Sequence, residues 1–237
     1  MMKRILILVF LILPTGFALA LDCHPKVIAS LPQYIVGYGS LISNASKSKT
    51  NPYTSDNVPV TVKGYKRSWS IYGVFHGKNT TFLSVSKDPN SWFNGVLFQL
   101  SQAQTLYRYD KRESRYCREE VSPKDLTVYF TSLSKKSQIW IYVFNHKKQK
   151  PSEAYPILQS YVDIFIGGCI QIEERFHLKN YAKNCIKTTD FWSRYWVNDR
   201  VFPGRPLQHE PYATKIDALL SQCHKTQPEE NKKHAIC

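Results

Sequence analysis

The stretch IVGYGSLIS, residues 35–43, decides the reading of this chain. A short apolar run enters two glycines separated by a tyrosine, a serine follows, and Leu41 and Ile42 resume the apolar pattern. A dinucleotide fingerprint G-x-G-x-x-G needs a third glycine, and counting from Gly37 and Gly39 that place holds Ile42. A nucleophile elbow G-x-S-x-G fails as well, because Tyr38 stands where the serine belongs. The stretch is a strand ending in a glycine-bearing turn, with backbone N–H groups available to a ligand, and it matches neither motif.

Around that turn the first two-thirds of the chain read as β-rich. Residues 58–72 contain period-2 alternation, with Val58, Val60 and Val62 pointing one way and Gly64 a bulge or bend. Strands follow at 81–86 and 94–100, separated by the turn-prone KDPNS. Ser101 with Gln104 three residues on reads as a capping box opening a helix over 101–113, and 116–121 and 138–145 return to strand. After Pro151 the spacing turns helical: apolar residues at 158, 161, 162, 165 and 166 predict a helix within 152–176, weakened by Gly167-Gly168, and a second is expected over 210–223. The reading is one α+β domain, a small mixed β-barrel or sheet with flanking helices.

The N-terminus begins with the basic MMKR, continues into an apolar core interrupted by Pro14, and ends in small residues at Ala20. Residues 1–20 read as a secretory signal peptide, too short in its apolar run to span a membrane. The mature chain is then expected to divide into an N-terminal segment 21–33, a domain 34–223 and a polar tail 224–237, with no transmembrane segment. Export to a periplasm or the medium follows from the same reading. All six cysteines lie in the mature part, which permits up to three disulfides of unassigned pairing. Cys23 and Cys237 sit near the two ends, where a bridge would most reduce fraying. The formal net charge of +14 becomes +12 once Lys3 and Arg4 leave with the signal, and the basic residues are dispersed. Such a surface favours loose contact with anionic surfaces, and no helix-turn-helix, RNP or zinc-finger pattern supports a nucleic-acid partner. The scattered histidines show no i, i+4 pair, so a metal site is not expected.

The order and spacing of GYGSL, VKGYKRSW, NGVLFQLS and YDKRESRYCREEV resemble the γ-glutamylcyclotransferase-like superfamily. SYVDIFIGGC and TTDFWSRYWVNDRVFPGRP resemble the C-terminal half of a bacterial branch, so the likeness runs over about residues 34–220. The resemblance implies a small mixed β-barrel with helices, and release of 5-oxoproline from a γ-glutamyl amide by attack of its own α-amino nitrogen. That attack is intramolecular and needs no protein nucleophile, metal or cofactor. The catalyst folds the substrate, and one carboxylate moves the proton.

On this resemblance Glu113 is the catalytic base and acid, with Asp110 in reserve. Tyr38, Gly39, Ser40 and Leu41 form the substrate-binding turn, where successive amides make an anion-binding concavity. Gly39 would supply an unusual φ and close approach, and Ser40 a hydroxyl donor. Taken alone, DKRES also reads as a solvated, salt-bridged loop. Cys117 as a thiol nucleophile fares worse, since it has no evident histidine partner and an exported cysteine is more readily a disulfide, and Ser40 in a hydrolase triad fares worse because the elbow pattern is absent. Asp199 and Arg200 are expected to pair and brace the C-terminal segment, with lining of a specificity pocket as the alternative. Export puts glutathione, abundant in the cytosol, in question as substrate, and leaves other γ-glutamyl amines and peptides. The alternative is a non-catalytic basic module that uses the same cleft for an anionic ligand or partner; the sequence names no partner protein.

Overall fold

A computed structural model of the chain describes residues 23–75, 77–134, 136–200 and 210–225, the last three of them as backbone. The expected signal segment 1–20, Cys237 and most of the 224–237 tail lie outside the described residues.

The apolar run before the glycines forms β1 (Gln33–Gly37), buried on both faces: Ile35 and Val36, on opposite sides, are 0% and 1% exposed. Double burial explains why the run is continuous instead of alternating. A turn over Ser40–Ile42 and the short helix α1 (Asn44–Ser48) lead into a long hairpin of β2 (Val58–Phe75) and β3 (Lys78–Gln99). Within β2 the expected bulge is present: Gly64 sits at φ +81°, and the register slips there. The KDPNS turn does not separate two strands. Lys63 faces Trp92 and Tyr65 faces Lys87, so residues 88–91 make an excursion opposite the Gly64 bulge, held by Asp88 accepting from the Asn90 amide and the Ser91 hydroxyl. The turn chemistry is local to one strand, and pairing resumes after it.

After β3 the chain makes a single 3-10 turn over Ala103–Thr105 and then α2 (Leu106–Arg112). The Ser101–Gln104 capping box does not form: Gln102 precedes the turn, and no side chain caps it. The strands β4 (Cys117–Glu120), β5 (Leu126–Val128) and β6 (Gln138–Val143) follow. The sheet order is β4-β6-β1-β3-β2-β5, with β1 parallel to β6 and antiparallel to β3. Among the described residues its ends, β4 and β5, do not meet, so the sheet is open and mixed and not a closed barrel.

The C-terminal helix α3 (Gln159–Arg175) begins later than its apolar spacing alone suggests, because Pro156 and the two-residue strand β7 (Ile157–Leu158) come first. After α3 come α4 (Tyr181–Lys187), β8 (Thr189–Asp190) beside β2, β9 (Trp196–Val197) beside β7, and α5 (Ala213–Lys225). Tyr161, Val162, Phe165 and Ile166 of α3 pack with Trp69, Leu83 and Val96 of the hairpin. Burying each large side chain of this kind contributes roughly 1.5–3 kcal/mol. Gly168 reads as a weak point in α3, yet it is where the helix meets the turn after β1: an added Cβ would lie 2.8 Å from the Ser43 amide and 2.9 Å from Ile42.

Among the described residues there are two disulfides, Cys23–Cys117 and Cys169–Cys185, the second joining α3 to α4. Cys23 therefore does not pair with Cys237, and Cys117 is not a free thiol; the side chain of Cys223 lies outside the described residues. Asp199 and Arg200 brace the C-terminal segment, but not with each other. Asp199 accepts from the amide and hydroxyl of Ser160 at the start of α3. Arg200 pairs with Asp163 of α3 and Asp217 of α5, each at 2.7 Å. Among the described residues no helix is long and apolar enough to cross a membrane, and no cluster of candidate metal ligands occurs.

Gly37 closes β1 against its neighbours, since a Cβ there would lie 2.9 Å from Val96 Cγ2 and 3.0 Å from Leu41 Cβ. Gly37→Ala is expected to destabilise the domain by about 1–3 kcal/mol through overpacking. A denaturant midpoint equal to wild type would contradict that close fit.

Candidate active site

The turn after β1 is fixed from every side. The Tyr38 carbonyl accepts from Arg67 Nη1 at 3.1 Å, and the Tyr38 hydroxyl donates to the Tyr142 carbonyl at 2.6 Å. The Ile42 amide donates to the Gly39 carbonyl, closing a 3-10 turn. Asn57 Nδ2 donates to the carbonyls of Leu41 and Ile42 at 3.2 and 2.7 Å. Gly39 has φ −128°, outside the left-handed region, so its value is not an unusual φ. What approaches it is the Tyr161 hydroxyl of α3, which an added Cβ would meet at 3.2 Å.

Glu113 follows α2 directly, at the head of the loop that leads into β4. It lines one narrow cavity of about 20 Å³ together with Tyr38, Gly39, Ser40 and Leu41, so all five residues singled out in the sequence come together. Tyr116, Tyr142 and Tyr161 complete the polar part of that wall. This inner cavity shares Ser40, Glu113, Tyr116 and Tyr161 with an outer one of about 300 Å³, the lower end of the usual size for small-molecule sites.

Arg112, read from the sequence only as a charged neighbour, links the parts. Its Nε meets Glu113 Oε1 at 3.2 Å, and its Nη2 donates to Ser40 Oγ at 2.9 Å. Its Nη1 donates to the Ser46 carbonyl and to Thr50 Oγ1, tying α1 to the same point. Ser40 also faces the Tyr161 phenol and lowers its pKa somewhat. A continuous polar chain therefore runs Glu113–Arg112–Ser40, with the Tyr161 phenol on the same cavity wall.

Burial raises the Glu113 carboxyl above its ordinary 4.5, and the adjacent Arg112 charge and hydrogen bond offset part of that rise. Burial also holds the phenols neutral, with Tyr161 raised to about 12 and Tyr38, Tyr116 and Tyr142 raised as well. The neutral Tyr161 phenol lines the same cavity and carries a proton that it can donate there. Asp110, the reserve carboxylate, does not line the cavity: it pairs with Arg118 Nε at 3.0 Å and accepts from the Tyr142 hydroxyl at 2.8 Å. Sequence reasoning found Tyr38 but missed Arg112, Tyr116, Tyr142 and Tyr161. Tyr161 left a faint trace, as a hydroxyl on an otherwise apolar helical face.

No family model matches the sequence, and no curated protein matches it. Solved structures do. One described as a gamma-glutamyl cyclotransferase aligns at 14% identity and TM-score 0.52, covering 81% of this chain and 99% of its own. An uncharacterized protein from Homo sapiens aligns at 17% identity and TM-score 0.43, covering 62% of this chain and 85% of its own. A yeast gamma-glutamyl cyclotransferase specific to glutathione aligns at 11% identity and TM-score 0.41, covering 68% and 98%. The first carries the assignment, which is one of fold: the chain has the γ-glutamylcyclotransferase-like fold.

Proposed function

We propose that the protein is a cofactor-free cyclotransferase that releases 5-oxoproline from γ-glutamyl amines or peptides. The observation that carries this reading is the Glu113 carboxylate, 16% exposed, in one cavity with the Tyr38–Leu41 turn. The substrate's α-amino nitrogen attacks its γ-carbonyl carbon; that C–N bond forms as the bond to the departing amine breaks. Glu113 takes the proton from the attacking nitrogen and returns it to the leaving one. The turn and the Tyr161 proton face the glutamyl carboxylate or the developing oxyanion, where fixed donors act most strongly. Holding the glutamyl chain folded supplies much of the acceleration, since the reaction becomes a matter of proximity. We read the chain as exported on its N-terminal sequence, and the two disulfides support an oxidising compartment.

The base must be ionised to act, and burial raises its pKa, so activity is lost on acidification earlier than an ordinary glutamate would allow. Amine release from a γ-glutamyl peptide, followed as kcat/KM against pH, is expected to show an acid limb above 4.5. A limb at or below that ordinary value would remove Glu113 from the role of base. Absence of amine release at every pH would remove the cyclotransferase reading itself.

A further inference from the structure

The outer cavity has its own chemistry. Phe75, Phe82 and Tyr161 meet edge to face around it, with centroid distances of 6.0, 5.8 and 5.3 Å, and Ile71 and Val74 extend the apolar wall. Among the described residues that line it, Glu113 is the one carboxylate, and it is engaged by Arg112. Arg115, two residues on, also lines this cavity, and its guanidinium has no hydrogen-bond or ion-pair partner among the described residues. The guanidinium lies over Gly73 of β2, in a notch that any side chain at that position would fill. The outer cavity thus presents an aromatic wall beside the reacting carboxylate and one positive charge left over.

Resting on the cyclotransferase reading, we propose that this cavity seats the departing amine and selects an amino acid with an aromatic or branched apolar side chain, whose free α-carboxylate is held by Arg115. The leaving nitrogen must stay near Glu113 to receive its proton. A carboxylate one carbon away then falls toward the neighbouring guanidinium, and the side chain lies against Phe75 and Phe82. A charge-assisted hydrogen bond at a partly exposed site discriminates by a modest factor.

The test compares γ-glutamyl-phenylalanine with γ-glutamyl-phenethylamine, which differ only in that carboxylate, in wild type and Arg115→Gln. Wild type is expected to favour the acid by about tenfold in kcat/KM, about 1.4 kcal/mol, and the variant by about onefold. γ-Glutamyl-glycine should be slower than γ-glutamyl-phenylalanine in both proteins. A wild-type ratio near one, an undiminished ratio in Arg115→Gln, or glycine turned over as fast would overturn the proposal. Binding of N-acetyl-phenylalanine against N-acetyl-phenethylamine, read by NMR shift titration, needs no turnover. Arg115-dependent preference for the acid without turnover would uphold the subsite and sink the cyclotransferase reading. Turnover with neither preference would do the reverse, and Arg115-independent binding without turnover would sink both.

Discussion

Glu113→Gln is expected to lower kcat for 5-oxoproline release by about two to four orders of magnitude, the usual contribution of one general base and acid. Glutamine keeps the length of the side chain and an acceptor for Arg112 Nε, but it cannot take the proton. The loss should fall on kcat more than on KM, because the turn and the outer cavity are left in place. Stability provides the control. The folded state holds the Glu113 proton more tightly than the unfolded chain, so stability falls as pH rises from 4.5 through the raised pKa. Above that raised pKa the penalty is fully present, and glutamine removes it. The variant should therefore melt no lower than wild type, and an inactive variant that melts much lower would have lost its fold and not its base.

Arg67→Met should produce the largest loss of stability. Arg67 is 0% exposed and lies between the rings of Phe93 and Phe165. Burial lowers its pKa to about 9, so it remains charged at neutral pH. None of its hydrogen-bond partners is a carboxylate. It donates to the carbonyls of Tyr38, Asn94 and Cys185, and to the hydroxyls of Thr188 and Thr189, at 2.7 to 3.1 Å. One guanidinium thus joins the turn after β1, the hairpin and α4. Methionine fills the volume but leaves these five buried oxygens without this donor; at about 1 kcal/mol each, the low end for such groups, a total near 5 kcal/mol is expected. At about 2–4 °C per kcal/mol this lowers Tm by roughly 10 °C. Arg67→Lys should recover little, because an ammonium cannot reach oxygens on several sides at once. Buried charges are sometimes replaced by apolar residues without loss; a neutral Arg67→Met would mean that Arg67 does not hold these elements together.

The contrast between Glu113 and Arg67 shows what the sequence carries. The continuous apolar run into GYGSL announces a doubly buried strand and its turn, and VPVTV announces the alternating strand beside it, because period and burial are local properties. The late helix was readable for the same reason. Arg67 in YKRSW looks like one more surface cation; only the convergence of α4 and β8 on β2 makes it a buried brace. Arg112 and Tyr161 escaped for a related reason, since Ser40 lies 72 residues from its Arg112 partner and no periodicity connects them. The Cys23–Cys117 bridge spans 94 residues and was equally hidden. KDPNS misled in a different way: its turn chemistry is real, but the Gly64 bulge opposite absorbs the extra residues and the strand continues. Closure into a barrel could not be read either, because whether the edge strands meet depends on pairings that no single strand encodes.

The most direct test of the cyclotransferase account is product identity. The folded protein is incubated with a γ-glutamyl dipeptide, and 5-oxoproline, free glutamate and the released amino acid are quantified together. Intramolecular attack predicts 5-oxoproline equal to the released amino acid, with no glutamate formed. Glutamate in place of 5-oxoproline would mean that water is the nucleophile and that the folded-chain mechanism is wrong. Neither product from any γ-glutamyl substrate would leave the Tyr38–Leu41 turn and Glu113 as a ligand cradle without chemistry.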